Sequence, residues 1–184
     1  MMCHFRLSAG DAGLGNQIEG EDVKIALVQI NPIIGDFKVN CEKILRRAVE
    51  AHEKGCRLVI FPEMAVSGYP PQDLLERRSF LADHDRAVSG LLADLPDIDV
   101  LFGCIEQRHA DKGKKLYNSA VVARRGAIVF RACKQLLPSY DVFDETRYFE
   151  PGPPPGLYQL GGLNFAVTIC EDVWHHEIGE YRTA

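Results

Sequence analysis

Three polar residues stand just beyond apolar runs of this sequence: Glu63 after RLVIFP, Lys134 after AIVFRAC, and Cys170 at the end of FAVTIC. The carboxyl ends of strands are where α/β sheets collect reactive groups, so three residues far apart in the chain can meet in one crevice. Cys170 is the natural nucleophile, because a free thiol with a pKa of about 8.5 already supplies some thiolate near neutral pH. A glutamate beside it can take its proton and return one to a leaving amine or activate a water. An ammonium such as that of Lys134, with the backbone N–H of Glu171, can stabilise the oxyanion of a tetrahedral intermediate.

Each residue also has a structural explanation: a core cysteine at a strand end, and capping or surface charges at 63 and 134. The segment KQLLPSYDVFDETRYFEPG (134–152) is more informative as a unit. Its Tyr140, Phe143, Tyr148 and Phe149 supply candidate pocket walls, and Glu145 is placed to orient Lys134 or tune the protonation balance. Cys170, Asp172, His175 and His176 are close in sequence but lack the paired, separated ligands of a zinc module, so no metal is expected. His52, His84 and His109 fall in two amphipathic helices and a charged loop, which ranks a cysteine–histidine mechanism below a glutamate–lysine–cysteine one.

The elements that must position these residues are legible as strands and helices. VKIALVQI (23–30) reads as a strand, and Asp36 caps a helix through residue 54 with Ile44, Leu45, Ala48 and Val49 as its apolar face. Gly55 ends that helix, and RLVIF (57–61) follows as a strand stopped by Pro62, a unit suited to parallel sheets. GYPPQDLL turns into a second helix over about 72–94, followed by the strand DVLFGCIE. YNSAVVARRGAIVFRA reads as two strands joined at RRG, and GLYQLGGLNFAVTIC as a second pair around Gly161-Gly162, with FAVTI a buried strand running up to Cys170.

The 184 residues are 46% hydrophobic and 26% charged, which suits one α/β domain from residue 23 onward, behind a glycine-rich flexible leader over residues 1–22. A net charge of −5 argues against nucleic acid as a partner. No stretch approaches the roughly 20 apolar residues of a membrane span, and the start lacks the apolar centre of a signal peptide, so the expected compartment is cytoplasmic. Six cysteines without CxxC spacing read as free thiols.

FPEMAVSGYPPQDLL, KQLLPSYDVFDETRYFEPG and TICEDVW together resemble the nitrilase, or carbon-nitrogen hydrolase, superfamily, and within it the glutaminase domains of glutamine-dependent NAD synthetases. The resemblance implies a four-layer αββα sandwich in residues 23–184. It puts the catalytic glutamate, lysine and cysteine on Glu63, Lys134 and Cys170, the supporting glutamate on Glu145, and a glutamine-contacting tyrosine on Tyr140. It further implies L-glutamine as substrate, no cofactor for that step, and a homo-oligomer. Ammonia would pass to an NAD synthetase domain, absent from this sequence, that uses ATP and Mg. The family domain continues well past the cysteine, whereas this sequence ends 14 residues after Cys170. The expectation is therefore a domain without its C-terminal part, poorly active unless another polypeptide completes it. The other readings are a stand-alone amidase or nitrilase for another small substrate, and an inactive scaffold binding a partner along a sheet edge.

Overall fold

The computed structural model describes residues 23–174; the proposed leader, His175 and His176 lie outside them. Its centre is a five-stranded sheet in the order β1 (Ile25–Leu27), β2 (Leu58–Ile60), β3 (Asp99–Gln107), β4 (Leu116–Arg124), β5 (Ala127–Cys133). β1, β2 and β3 are parallel, and β4 and β5 join by antiparallel pairing. β5 therefore runs in the same direction as β2 and β3. The residues that follow β2 and β5 consequently emerge at one end of the sheet, which is also where β4 begins.

Helix α1 (Phe37–Glu53) starts as expected, with the Asp36 side chain accepting from the Val39 N–H at 3.1 Å, and it ends before Gly55 at φ +70. Its buried positions are Asn40, Ile44, Ala48 and Ala51, while Val49 is turned outward, so the apolar face lies slightly off the expected one. Ile44 and Ala48 join Leu91 of α2 (Arg78–Asp94) and Val59, Val100, Phe102 and Val121 of the sheet in the main core. The expected helix over 72–94 is broken: Gln72–Glu76 form a 3-10 turn, Arg77 is extended, and α2 follows. Leu75 and Phe80 would sit about 140° apart around a continuous helix. The break lets both enter one cluster with Met64, Ile105 and Phe149.

The opposite face of the sheet is covered by the hairpin β6 (Tyr158–Leu160) and β7 (Leu163–Phe165), which turns at Gly161-Gly162. Tyr158 and Leu160 bury Leu58 and Val122 there. The architecture is a mixed α/β sandwich consistent with the fold that the resemblance implies, in which the described residues supply a helical layer, a five-stranded sheet and a two-stranded hairpin on the sheet's other face. The expected buried strand FAVTI is corrected: the ladder stops at Phe165, and Ala166 and Thr168 are exposed. An in-and-out alternation persists through half-buried Val167 to buried Ile169. No strand among the described residues lies alongside to carry the pairing further.

His84 ties α2 to the sheet. Its ring is 1% exposed, Nε2 accepts the Ile105 N–H at 3.2 Å, and Nδ1 lies 3.3 Å from Asp85 Oδ1. Burial pushes its pKa below the ordinary value, against the opposing pull of Asp85 and Glu106. The unfolded chain then binds more protons than the folded one, so stability is complete above about pH 6.5 and falls as pH drops toward the folded-state pKa. Urea unfolding across pH 5–8 is expected to show this loss, and H84Q, which keeps an acceptor without titrating, to flatten it. Equal slopes in both proteins would remove His84 as the source of the pH dependence.

Candidate active site

Glu63 leaves β2 after Pro62 and lies across β3. Gly103 makes that approach possible: a Cβ there would stand 2.2 Å from Met64 N and 2.8 Å from Glu63 Cα. The Gly103 N–H donates to Pro62 O at 3.2 Å, and Gly103 O accepts from Val66 at 3.3 Å, so the Glu63 turn is bonded on both sides of the glycine. Met64 takes φ 48 and is fully buried, which fixes the turn from below.

Lys134 leaves β5 at the same end, where its backbone N–H donates to Asn118 O at 2.8 Å. Its side chain is wholly buried, and Nζ bridges Glu63 Oε1 at 2.9 Å and Glu145 Oε1 at 2.8 Å. Glu145 opens the one-turn helix α3 (Glu145–Tyr148), is 4% exposed, and also accepts the Tyr69 hydroxyl at 2.8 Å. Asn118 donates from Nδ2 to Glu63 Oε1 at 2.6 Å and to Glu145 Oε2 at 3.3 Å. Burial works against the charge on Lys134, but hydrogen bonds and charges from Glu145 and Glu63 outweigh it and raise its pKa, so the ammonium is the stable form. Burial and the Glu145 carboxylate push the Tyr69 hydroxyl up, so it stays a donor.

Cys170 is exposed at the start of a 3-10 turn (Cys170–Val173), with φ 47. A non-glycine residue in that region costs about 1–2 kcal/mol, a cost found where a side chain must be aimed. Partial burial of the sulfur is the largest influence raising its pKa, and the Glu63 carboxylate adds to it; Lys134 pulls the other way. The resting thiol therefore keeps its proton, and reaction requires an acceptor for it.

One carboxylate secures this turn against the Lys134 segment. Asp172 is 7% exposed; its Oδ1 accepts the N–H groups of Gln135 at 3.0 Å and Leu136 at 2.9 Å, and its Oδ2 accepts that of Ile169 at 3.1 Å. The Tyr140 hydroxyl donates to Glu171 Oε2 at 2.8 Å, and the Tyr140 ring packs edge-on against Phe143 at 5.6 Å. Tyr148 and Phe149 line a small cavity together with Met64, Tyr69, Leu75 and Glu145; Phe149 also joins the core, and the Tyr148 hydroxyl donates to Asp73 Oδ1 at 2.5 Å. Among the described residues no group of three or more His, Cys, Asp or Glu is placed to hold a metal ion. Nor is any described helix long and apolar enough to cross a membrane.

Glu63, Lys134 and Glu145 are thus in direct contact, with the thiol of Cys170 within reach of their charges. Sequence reasoning missed Tyr69, Asn118 and Gly103, and weighed Asp172 only as a metal ligand. Asn118 carried a signal, as a polar residue in an otherwise buried strand run. Gly103 carried another, since an isolated strand glycine marks close backbone approach.

Residues 24–179 match the carbon-nitrogen hydrolase family, and the chain belongs to it. It is 41% identical over 157 residues to the glutamine-dependent NAD(+) synthetase of Synechocystis sp., covering 83% of this chain and 28% of that protein. Against that of Thermotoga maritima it is 37% identical, covering 83% and 26%. The structure of the Acinetobacter baumannii glutamine-dependent NAD+ synthetase with ADP superposes with a TM-score of 0.77 at 36% identity, covering 85% of this chain and 29% of that one. An amidase from Nesterenkonia sp. superposes at 0.73 and 25% identity, covering 91% and 62%. The chain therefore spans under a third of the length of the synthetases it matches. Its glutamate–lysine–cysteine arrangement is that of the nitrilase superfamily and fits hydrolysis of an amide.

Removing the Asp172 carboxylate leaves three backbone N–H groups without their acceptor. D172A is expected to lose about 2 kcal/mol or more of unfolding free energy and D172N distinctly less, because the amide retains one acceptor oxygen. Urea titration of both variants measures this, and wild-type stability in D172A would contradict the clamp.

Proposed function

We propose that this chain hydrolyses the side-chain amide of L-glutamine through a thioester on Cys170, releasing ammonia for amidation of deamido-NAD by an NAD synthetase domain. The observation that carries the reading is the contact of Lys134 with both Glu63 and Glu145, in a segment that Asp172 bonds to the turn bearing Cys170. The likeness to NAD synthetases supports glutamine as the amide.

Glu63 takes the proton from Cys170 as sulfur attacks the carboxamide carbon. An ammonium has three N–H donors. Two of those on Lys134 are held by the glutamates, so the third is the one to stabilise the oxyanion, together with the Glu171 backbone N–H. Collapse of the intermediate breaks the C–N bond, and Glu63 gives its proton to the departing ammonia. Water then attacks the thioester carbon, losing a proton to Glu63; the C–S bond breaks, glutamate leaves, and Glu63 returns the proton to the sulfur. In this reading Tyr140 contacts the amino-acid end of the substrate, a role supported by its exposed hydroxyl, which donates to Glu171 of the turn that bears Cys170. Cytoplasmic residence and self-association complete the proposal.

Intact-mass analysis after brief incubation with glutamine is expected to find a γ-glutamyl adduct on Cys170, absent in C170A. K134M is expected to slow ammonia release by about 100-fold or more. Faster turnover of short aliphatic amides than of glutamine would instead favour a general amidase, the activity named for the Nesterenkonia protein. Absence of any adduct or hydrolysis would leave the chain as a binding scaffold.

A further inference from the structure

Asn118 stands at the start of β4, is 1% exposed, and holds an amide whose two halves are treated unequally. Its Nδ2 reaches Glu63 Oε1 at 2.6 Å and Glu145 Oε2 at 3.3 Å, while its Oδ1 is buried with no hydrogen-bond partner among the described residues. A buried carbonyl left unsatisfied is unfavourable, yet turning the amide over would set that oxygen against two carboxylates. The orientation is therefore imposed by the acids.

The donors around Glu63 are also one-sided. Lys134 Nζ at 2.9 Å and Asn118 Nδ2 at 2.6 Å both converge on Oε1. Glu63 Oε2 has no hydrogen-bond donor among the described residues, and the side chain keeps 20% of its surface exposed. Lys134 alone does not determine that outcome, because a single ammonium can slide between the two oxygens of a carboxylate. A second donor from a fixed strand backbone prevents it.

We propose that Asn118 is a positioning residue that pins Glu63 by Oε1 and so reserves Oε2 as the atom that accepts the proton of the Cys170 thiol. The proposal rests on the reading of Glu63 as the base for Cys170. The Asn118 side chain bonds the two glutamates and not the Cys170 sulfur; it acts by fixing which oxygen of the base is available. The other charged or titratable groups facing Glu63 are Lys134 from the end of β5, Glu145 from α3, Tyr69 from the turn after β2, and Cys170.

The test uses N118L, which matches the shape of asparagine while removing both the donor and the orphaned carbonyl. Losing a donor to the ionised carboxylate disfavours that form. The acid limb of kcat/KM for glutamine hydrolysis is expected to move to higher pH, with kcat reduced about tenfold or more and KM within about twofold of wild type. A purely structural role predicts a lower melting temperature with the limb unmoved, and that result, like wild-type behaviour, would overturn the proposal. A second measurement needs no turnover: peptide-resolved alkylation of Cys170 by iodoacetamide as a function of pH in wild type, E63Q and N118L. An acid inflection present in wild type and lost in E63Q reports Glu63 acting on the thiol, and N118L is expected to shift it upward. If E63Q leaves the curve unchanged, the reading of Glu63 as base fails, and this proposal with it. If E63Q abolishes the inflection and N118L leaves it in place, Asn118 alone is excluded.

Discussion

A single buried ammonium holds this structure's chemistry together. Two carboxylates cannot stay ionised side by side in a dry interior without a compensating cation, and Lys134 supplies it at 2.9 Å from Glu63 and 2.8 Å from Glu145. The ammonium in turn would be costly to bury alone, and the two acids make the charged form the stable one despite burial. Asn118 Nδ2 reaches Glu145 Oε2, and the Tyr69 hydroxyl adds a second donor to Glu145 Oε1, which leaves Glu63 Oε2 and the buried Asn118 Oδ1 as the oxygens of this network without a partner among the described residues. Two carboxylates about one ammonium leave the cluster net negative, with Glu63 Oε2 lacking a hydrogen-bond donor among the described residues.

The fold delivers these groups by topology. Because β5 runs parallel to β2 and β3 across the antiparallel β4, the residues that follow β2 and β5 arrive at one end of the sheet. Gly103 lets the Glu63 turn lie on β3, and Asp172 binds the Cys170 turn to the chain leaving Lys134. Cys170 itself is held in a left-handed conformation by that clamp, and the strain there is borne by three backbone hydrogen bonds to one carboxylate.

Much of this was legible in the residues. The apolar runs ending at Pro62 and Cys133 announce strands whose polar neighbours, Glu63 and Lys134, can meet at one end of a sheet. The caps at Asp36 and Gly55 and the turn at Gly161-Gly162 follow from local chemistry, which sequence records directly. Contacts between distant segments were not legible: nothing local tells that Asn118 would span two glutamates, or that Asp172 would accept from residues 135 and 136. Residues 72–94 read as one continuous helix because their apolar residues suit a helix locally, whereas tertiary demand from Leu75 and Phe80 breaks it at Arg77. The strand leading to Cys170 was overextended because its alternation is real while its ladder needs a neighbour.

The mutual dependence of Lys134 and Glu145 is measurable without any substrate. A double-mutant cycle of K134M and E145Q, followed by urea unfolding, reads the coupling between them. K134M is expected to be strongly destabilising when Glu145 is intact and much less so when it is combined with E145Q, a coupling of about 1 kcal/mol or more. Additive losses in the double variant would mean that the ammonium does not hold the acids together, and would contradict the account at its centre.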